Sequence, residues 1–138
     1  MKKLHCFILF FSLTAFLGCG GKYPLTGKVT FSDDGSPIPE CIVFFVKDTF
    51  LAQGNVIKAD GTYLVGSTGL KDGLPPGEYQ VYIAGAQNVT TTPQGENIYT
   101  SQIDDKYRSV ETSGLAFTVD GKKRRFDIQL DRAPQTGK

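Results

Sequence analysis

Short runs of alternating apolar and polar residues, broken by glycine, proline and aspartate, make up most of the chain after residue 24. This alternation is typical of strands that bury one face, and no stretch of ten residues keeps a helical period. We therefore predict an all-β domain over residues 25–132, followed by a polar tail at residues 133–138. About seven strands at this spacing favour an antiparallel β-sandwich, in which two sheets bury one face each.

The predicted strands cover residues 25–31, 41–46, 54–58, 63–65, 78–84, 115–119 and 126–130. The apolar run at 41–46 predicts a strand covered on both faces, or one whose outer face meets a neighbour. Cys41 in this run is expected to pack as a small hydrophobe. The last two strands flank Asp120-Gly121, which predicts that they form a closing hairpin. One helical turn is predicted at residues 103–107.

The first eighteen residues have the layout of a secretory signal peptide. Lys2 and Lys3 precede an apolar run at residues 6–17, which is shorter than the about 20 residues that a membrane-spanning helix needs. The sequence Phe-Leu-Gly-Cys at 16–19 resembles a bacterial lipobox. That resemblance implies cleavage before Cys19 and acyl chains on its thiol. A plain signal peptide with an incidental cysteine is the alternative.

The lipobox implies a mature chain that begins at Cys19 and reaches the domain through a short tether, residues 19–24. Two or more acyl chains hold a protein stably on a membrane. Gly20 follows the cysteine where aspartate would retain a lipoprotein, which implies the periplasmic face of the outer membrane or the cell surface. Cell-envelope attachment through a lipid anchor is therefore expected.

The mature chain would contain no histidine, because His5 lies in the signal peptide. Sites of the Ser-His, Cys-His and His-Zn kinds could then not form. With Cys19 acylated, Cys41 has no intrachain disulfide partner. The mature chain would carry 13 Lys and Arg against 14 Asp and Glu, a balance that argues against nucleic-acid binding. These observations predict a protein that is not an enzyme and needs no cofactor.

Three features are candidate binding sites. A cluster of four cations, which we call the basic segment, is expected either to be a solvated hairpin tip or to meet lipid head groups, acidic polysaccharide or a protein. It consists of Lys122, Lys123, Arg124 and Arg125. Asp104 and Asp105 are the candidate metal ligands, but no segment has the Asp-x-Asp-x-Asp-Gly ladder that supplies calcium ligands, so no metal site is predicted.

Residues 85–101 are rich in Gln, Asn, Thr, Gly and Pro and have few apolar residues. We predict a long surface loop there, because loops of this length in compact domains are usually functional or mobile. Tyr99 in this loop, with Tyr82, Tyr107 and the threonines at 90–92, suggests a carbohydrate site. The absence of tryptophan argues against it, and core packing of Tyr82 and Tyr107 is the alternative.

Four turn motifs follow one another in the first half of the domain. They are LTGKV at 25–29, GSPIP at 35–39, DGTY at 60–63 and LPPGEY at 74–79. Their order resembles that of carboxypeptidase regulatory-like domains, which share the transthyretin-like fold. Residues 106–128 are further similar to small bacterial lipoproteins that carry this domain alone. Hydrolases of this fold depend on histidines and a C-terminal Tyr-Arg-Gly-Ser signature, and the mature chain would have neither.

These expectations combine into one main hypothesis. The chain is a non-enzymatic, lipid-anchored cell-envelope protein whose β-sandwich is a structural or protein-interaction module. The alternative is a carbohydrate- or peptide-binding module that uses residues 85–101 and an exposed strand edge. An accessory role beside a hydrolase or protease is a third hypothesis. The sequence leaves the partner and the oligomeric state open.

Overall fold

The computed structural model describes residues 21–56, 58–66 and 72–135, so the predicted signal peptide and Cys19 lie outside the described residues. Nine strands in this part of the chain confirm the prediction of an all-β domain. They are β1 (Thr26–Phe31), β2 (Cys41–Lys47), β3 (Phe50–Val56), β4 (Thr62–Gly66), β5 (Gly77–Gly85), β6 (Gln87–Thr91), β7 (Asn97–Ser101), β8 (Leu115–Val119) and β9 (Ile128–Leu130). A 3-10 turn at Asp105–Arg108 and a one-turn helix, α1 (Val110–Ser113), precede β8.

Seven of the strands form one sheet in the order β8-β5-β2-β3-β4-β1-β9, and β6 pairs with β7 in a separate two-stranded sheet. All pairs are antiparallel except that of β1 with β9, which is parallel, with Val29 opposite Ile128. The predicted hairpin of residues 115–119 with 126–130 is therefore wrong, since β8 and β9 are the two opposite edges of the sheet.

The segment between β8 and β9 crosses from one edge of the sheet to the other because β1 takes up its backbone hydrogen bonds. Thr26 N donates to the Arg124 carbonyl oxygen at 3.1 Å, and Phe126 N donates to the Thr26 carbonyl oxygen at 2.9 Å. The Asp120 carboxylate accepts a hydrogen bond from Lys122 N at 2.9 Å, which turns the chain away from β8. The basic segment therefore lies in a crossing connection and not at a hairpin tip.

The sheet is curled, so that the inner faces of its strands share one core. Tyr79, Val81 and Ile83 of β5 are buried on that face, as their alternation predicts. The two ends of the curl meet where the Phe117 ring of β8 lies 4.8 Å, between centroids, from that of Phe126. The buried core consists of Leu25, Val29, Phe31, Ile38, Cys41, Val43, Phe45, Ala52, Val56, Tyr63, Val65, Leu74, Tyr79, Val81, Ile83, Ala86, Ile103, Tyr107, Val119, Ile128 and Leu130.

Strand β2 explains the continuous apolar run in the sequence. Its inner residues, Cys41 among them, are buried, and its outer residues are half-buried by neighbouring side chains. On the outer face the Phe44 ring stacks on that of Tyr82 from β5, with centroids 4.8 Å apart and planes 12° apart. The outer face of the central strands is thus partly covered by its own aromatic residues.

Strand β5 runs from the end of the sheet near the basic segment to the end from which β6 begins. Gly77 at its start pairs with Val119, close to the basic segment, and Gly85 at its end leads into β6. We call these the N-terminal end, where the chain enters the domain, and the ribbon end. Nine residues of strand at about 3.3 Å per residue put the two ends about 26 Å apart.

Candidate functional site

Residues 85–101 are not the loop that their composition predicts. Strands β6 and β7 pair over five residues each and form a two-stranded ribbon, closed by a turn in which Thr92 N donates to the Glu96 carbonyl oxygen at 2.8 Å. Threonine and valine favour strands, and Gly95 adopts the positive φ of 86° that the turn requires. The prediction of a loop is wrong because the ribbon buries neither face and so lacks the usual alternation.

The β6–β7 ribbon exposes apolar side chains to solvent. Val89 lies opposite Tyr99 in the register, and these side chains are 55% and 59% exposed. Ile98 lies opposite Thr90 on the other face and is 52% exposed. Single exposed apolar residues are ordinary on a protein surface, but three on a ten-residue ribbon make both of its faces partly apolar.

The edges of the ribbon are also free of the usual protection against strand pairing. Among the described residues, neither β6 nor β7 pairs with a strand outside the ribbon. Exposed edges commonly carry lysine, proline or a bulge that discourages a further strand. Neither strand contains a charged residue, and Pro93 and Glu96 lie in the turn. Both edges therefore present unpaired backbone donors and acceptors.

Arg108 holds the base of the ribbon against the domain. Its Nη1 donates to the Gly85 carbonyl oxygen at 3.0 Å, and its Nη2 donates to Ser101 Oγ at 2.6 Å. Its Nε lies 3.4 Å from an oxygen of Asp105. Because Gly85 precedes β6 and Ser101 ends β7, one guanidinium joins both strands at their root, and the rest of the ribbon projects beyond it.

A second surface lies at the N-terminal end of the sheet, where the basic segment is exposed. Arg125 is paired there, with its Nε 2.8 Å from an Asp127 oxygen. Lys122, Lys123 and Arg124 make no ion pair within the described residues. The two lysine backbone amides donate to Asp120, and these bonds lower the pKa of that carboxyl. The segment is thus held through its backbone, with three cationic side chains in solvent.

Beside the basic segment is an open, mostly apolar groove of about 190 Å³. Its lining consists of Pro24, Leu25, Thr26, Leu64, Val65 and Arg124. Arg124 is the charged member of this lining, so the groove combines an apolar floor with a cation at its edge.

The two candidate metal ligands have other roles. Asp104 accepts a hydrogen bond from Lys106 N at 2.9 Å and thereby caps the 3-10 turn, and Asp105 pairs with Arg108. In the described ranges, no group of three or more His, Cys, Asp or Glu residues is arranged to hold a metal ion.

The three tyrosines considered for carbohydrate binding do not form one site. Tyr107 is buried, and its hydroxyl donates to an Asp131 oxygen at 3.0 Å. Tyr82 stacks on Phe44 on the outer face of the sheet, while Tyr99 lies on the ribbon. Tyr99 is the one of the three with a largely exposed ring.

Cys41 lies in the core, and burial raises the pKa of its thiol to about 12. A thiol in that state is a poor nucleophile at neutral pH, since the thiolate is the reactive form.

A network at the ribbon end joins residues that are far apart in sequence, and composition carries no signal for it. Hydrogen bonds from Lys106, Ser32 and Tyr107 lower the pKa of Asp131 to about 2. Next to it, Arg132 pairs with Asp33, with 2.7 Å between Nε and Oδ2. These contacts fix the C-terminal strand to the turn after β1, about 100 residues earlier.

Comparisons with known proteins give little for this chain. No family model matches it, and no curated protein matches it. A solved structure that it resembles is a 9R-lipoxygenase from Cyanothece PCC8801, with 17% identity, a TM-score of 0.36, and coverage of 79% of this chain and 16% of the lipoxygenase. The chain thus spans less than a fifth of that protein, and a TM-score this low carries no argument about fold or function.

The prediction that the chain is not an enzyme does not stand. The solved structure named above is that of an enzyme, and a match this weak decides neither for nor against catalysis by this chain. The reasoning from missing histidines excludes particular kinds of site and does not extend to catalysis in general. The match establishes no activity for this chain either.

No helix in the described part of the chain has the length and apolar character needed to cross a membrane.

Proposed function

We propose that this protein is a lipid-anchored component of a bacterial cell envelope, attached through Cys19, whose β domain presents the β6–β7 ribbon to a partner protein. The single observation that carries the interaction role is the ribbon itself. Neither of its edges pairs with another strand of the described chain or carries a charged residue, and its apolar side chains are more than half exposed. Partner strands commonly add to such edges, because backbone hydrogen bonds supply affinity and alternate side chains supply specificity.

The anchoring part of the proposal rests on the sequence. The lipobox-like residues at 16–19 and Gly20 support attachment at the periplasmic face of the outer membrane or at the cell surface. The four turn motifs support membership of the carboxypeptidase regulatory-like group and a transthyretin-like sandwich. The curled sheet is compatible with such a fold, since its two halves face each other across one core.

Anchoring is tested by mass spectrometry of the mature protein from a bacterial host. We expect an N-terminal Cys19 that carries acyl chains, and a Cys19→Ala variant that is not acylated and is not cut before residue 19. A mature chain that starts at another residue, or an unmodified Cys19, contradicts the anchor.

The interaction role is tested by photo-crosslinking from the ribbon in intact cells, with a photoreactive residue at Thr100. A crosslinked protein is then purified and its affinity for the full mature chain is measured. Lysine at Val89 or Tyr99 is expected to reduce that affinity at least tenfold, since a charge on the paired strand opposes strand addition. Leu51→Lys is the matched control, because Leu51 is 52% exposed on β3 in the large sheet. Equal loss in all three variants contradicts recognition through the ribbon.

Carbohydrate binding is a second candidate, and the exposed ring of Tyr99 favours it. Sugars stack on aromatic faces, and the ribbon carries threonine and asparagine side chains around that ring. A glycan array probed with the wild-type chain and a Tyr99→Ala variant tests this function. Glycan signals that the variant retains in full contradict it.

A further inference from the structure

The point where the chain enters the domain and the unpaired cations of the basic segment lie side by side. The Tyr23 ring lies directly against Gly121, where an added Cβ would be 2.7 Å from a ring carbon. Tyr23 is itself fixed by a hydrogen bond from its N to the Leu74 carbonyl oxygen, at 2.8 Å. Thr26, three residues later, bonds to the backbone of Arg124. The basic segment therefore lies next to the first residues of the domain in space.

Covalent geometry limits how far this surface can be from an anchored Cys19. Tyr23 is four positions after Cys19, and an extended chain spans at most about 3.5 Å per position, or about 14 Å in all. The field of an anionic membrane decays over about 8 Å at physiological ionic strength. An anchor at Cys19 thus allows the basic segment to approach lipid head groups, since the tether permits any separation up to about 14 Å.

The carboxylates near this surface are engaged elsewhere. Asp120 accepts hydrogen bonds from the backbone of the basic segment, and Asp127 pairs with Arg125 and accepts one from Lys28 N. Asp72 pairs with Lys22, at 2.6 Å between Nζ and Oδ2. The charges of Lys122, Lys123 and Arg124 are consequently not balanced by ion pairs with described residues, although the mature chain as a whole is close to neutral.

We propose that Lys122, Lys123 and Arg124 bind an anionic lipid surface and so orient the anchored domain. This rests on the proposed anchor, which makes the membrane the nearest polyanion. The apolar groove beside Arg124, whose lining includes Leu64 and Pro24, adds surface suited to the boundary between head groups and acyl chains. In this orientation, β5 leads away from the membrane, and the ribbon lies at the far end of the sheet.

The test measures vesicle binding without the acyl anchor. The chain from residue 19 to 138 with Cys19→Ser contains every described strand and the whole core, so it retains the fold. Its cosedimentation is measured with vesicles of phosphatidylcholine alone and with vesicles containing phosphatidylglycerol. Each cation near an anionic surface raises binding about fivefold. We therefore expect binding to the anionic vesicles that falls about a hundredfold in the triple variant Lys122→Gln, Lys123→Gln, Arg124→Gln and declines with added salt.

The control is Lys58→Gln, which removes an exposed lysine in the turn between β3 and β4 and should leave vesicle binding unchanged. The single variant Lys123→Gln should lose about fivefold, and circular dichroism confirms that each variant is folded. Equal binding to both kinds of vesicle, or an unaffected triple variant, overturns the proposal. Equally tight binding to soluble dextran sulfate overturns the assignment to lipid. Acylation of Cys19 is measured separately, so failure of the anchor and failure of this lipid contact give different results.

Discussion

Replacing Arg108 tests whether the ribbon is a unit that opens independently of the core. Arg108→Met keeps the aliphatic stem and removes the guanidinium that joins Gly85 and Ser101. A hydrogen bond from a charged donor contributes about 1.5–3 kcal/mol when buried. The side chain of Arg108 is 27% exposed, so we take about 1 kcal/mol for each of the two bonds and nothing for the exposed pair with Asp105.

A loss of about 2 kcal/mol corresponds to about thirtyfold faster opening of the ribbon. Isolated two-stranded hairpins are marginally stable in water, so little else opposes this opening. Hydrogen exchange followed by mass spectrometry on native protein should show this acceleration for amides of β6 and β7. Amides of β2 and β5 should keep their protection, because the core does not involve the ribbon strands.

Two further variants control this experiment. Arg108→Lys keeps the charge but cannot donate to both acceptors with one planar group. Its ribbon amides should therefore exchange at a rate between those of wild type and Arg108→Met. Arg124→Met removes an exposed arginine at the other end of the sheet and should leave ribbon exchange unchanged. Unchanged hydrogen exchange of the ribbon amides in Arg108→Met refutes the role of Arg108 in holding the base of the ribbon. Equal acceleration of ribbon and core amides refutes the independence of the ribbon.

Other predictions concern the core and the network at the ribbon end. Gly27→Ala places a Cβ 1.8 Å from the Phe126 carbonyl oxygen, and this overpacking of about 3 kcal/mol should lower the melting temperature by roughly 10 °C. Gly21→Ala, whose added Cβ meets nothing within 4 Å, should leave the melting temperature unchanged. Equal melting temperatures for the two variants contradict the close approach at Gly27. The pKa of Asp131 is lowered to about 2 in the fold, so its contribution to stability is complete above about pH 4 and is lost as the pH falls towards 2. Asp131→Asn should therefore lower the urea midpoint at pH 7 and reduce its fall between pH 4 and 2, and parallel curves for both proteins contradict this. Because burial raises the pKa of Cys41 to about 12, iodoacetamide should label it at pH 8 only after unfolding, and rapid labelling of the native chain contradicts its place in the core.

Local patterns predict the inner strands well and the sheet edges poorly. Tyr79, Val81 and Ile83 alternate with polar residues, and burial of one face follows directly from that pattern. In contrast, Asp120-Gly121 is a turn signal that fits either a hairpin or a crossing. Contacts with β1, about 100 residues away in sequence, decide between them, and no local pattern contains that information.

The candidate surfaces likewise combine features that the sequence predicts with features that it does not. The composition of the basic segment is evident from the sequence, but its position beside Tyr23 depends on the crossing connection. The ribbon escapes prediction because its strands bury neither face against the part of the domain that is described, so polar residues occur on both faces. The hydrophobic pattern that identifies strands records burial, and an exposed ribbon does not produce it.

The parallel pairing of β1 with β9 has a consequence for export and folding. Val29 and Ile128 are partners in the register, so β1 gains this neighbour only when nearly the whole chain is present. A chain that crosses a membrane from its N-terminus would expose that edge of β1 until its last strand emerged. Long-range pairing of this kind closes slowly, because a large loop must be ordered first. Loss of β9 should accordingly leave β1 with an open edge, and in the cell-envelope location that we propose, a truncated chain should be a substrate for envelope chaperones and proteases.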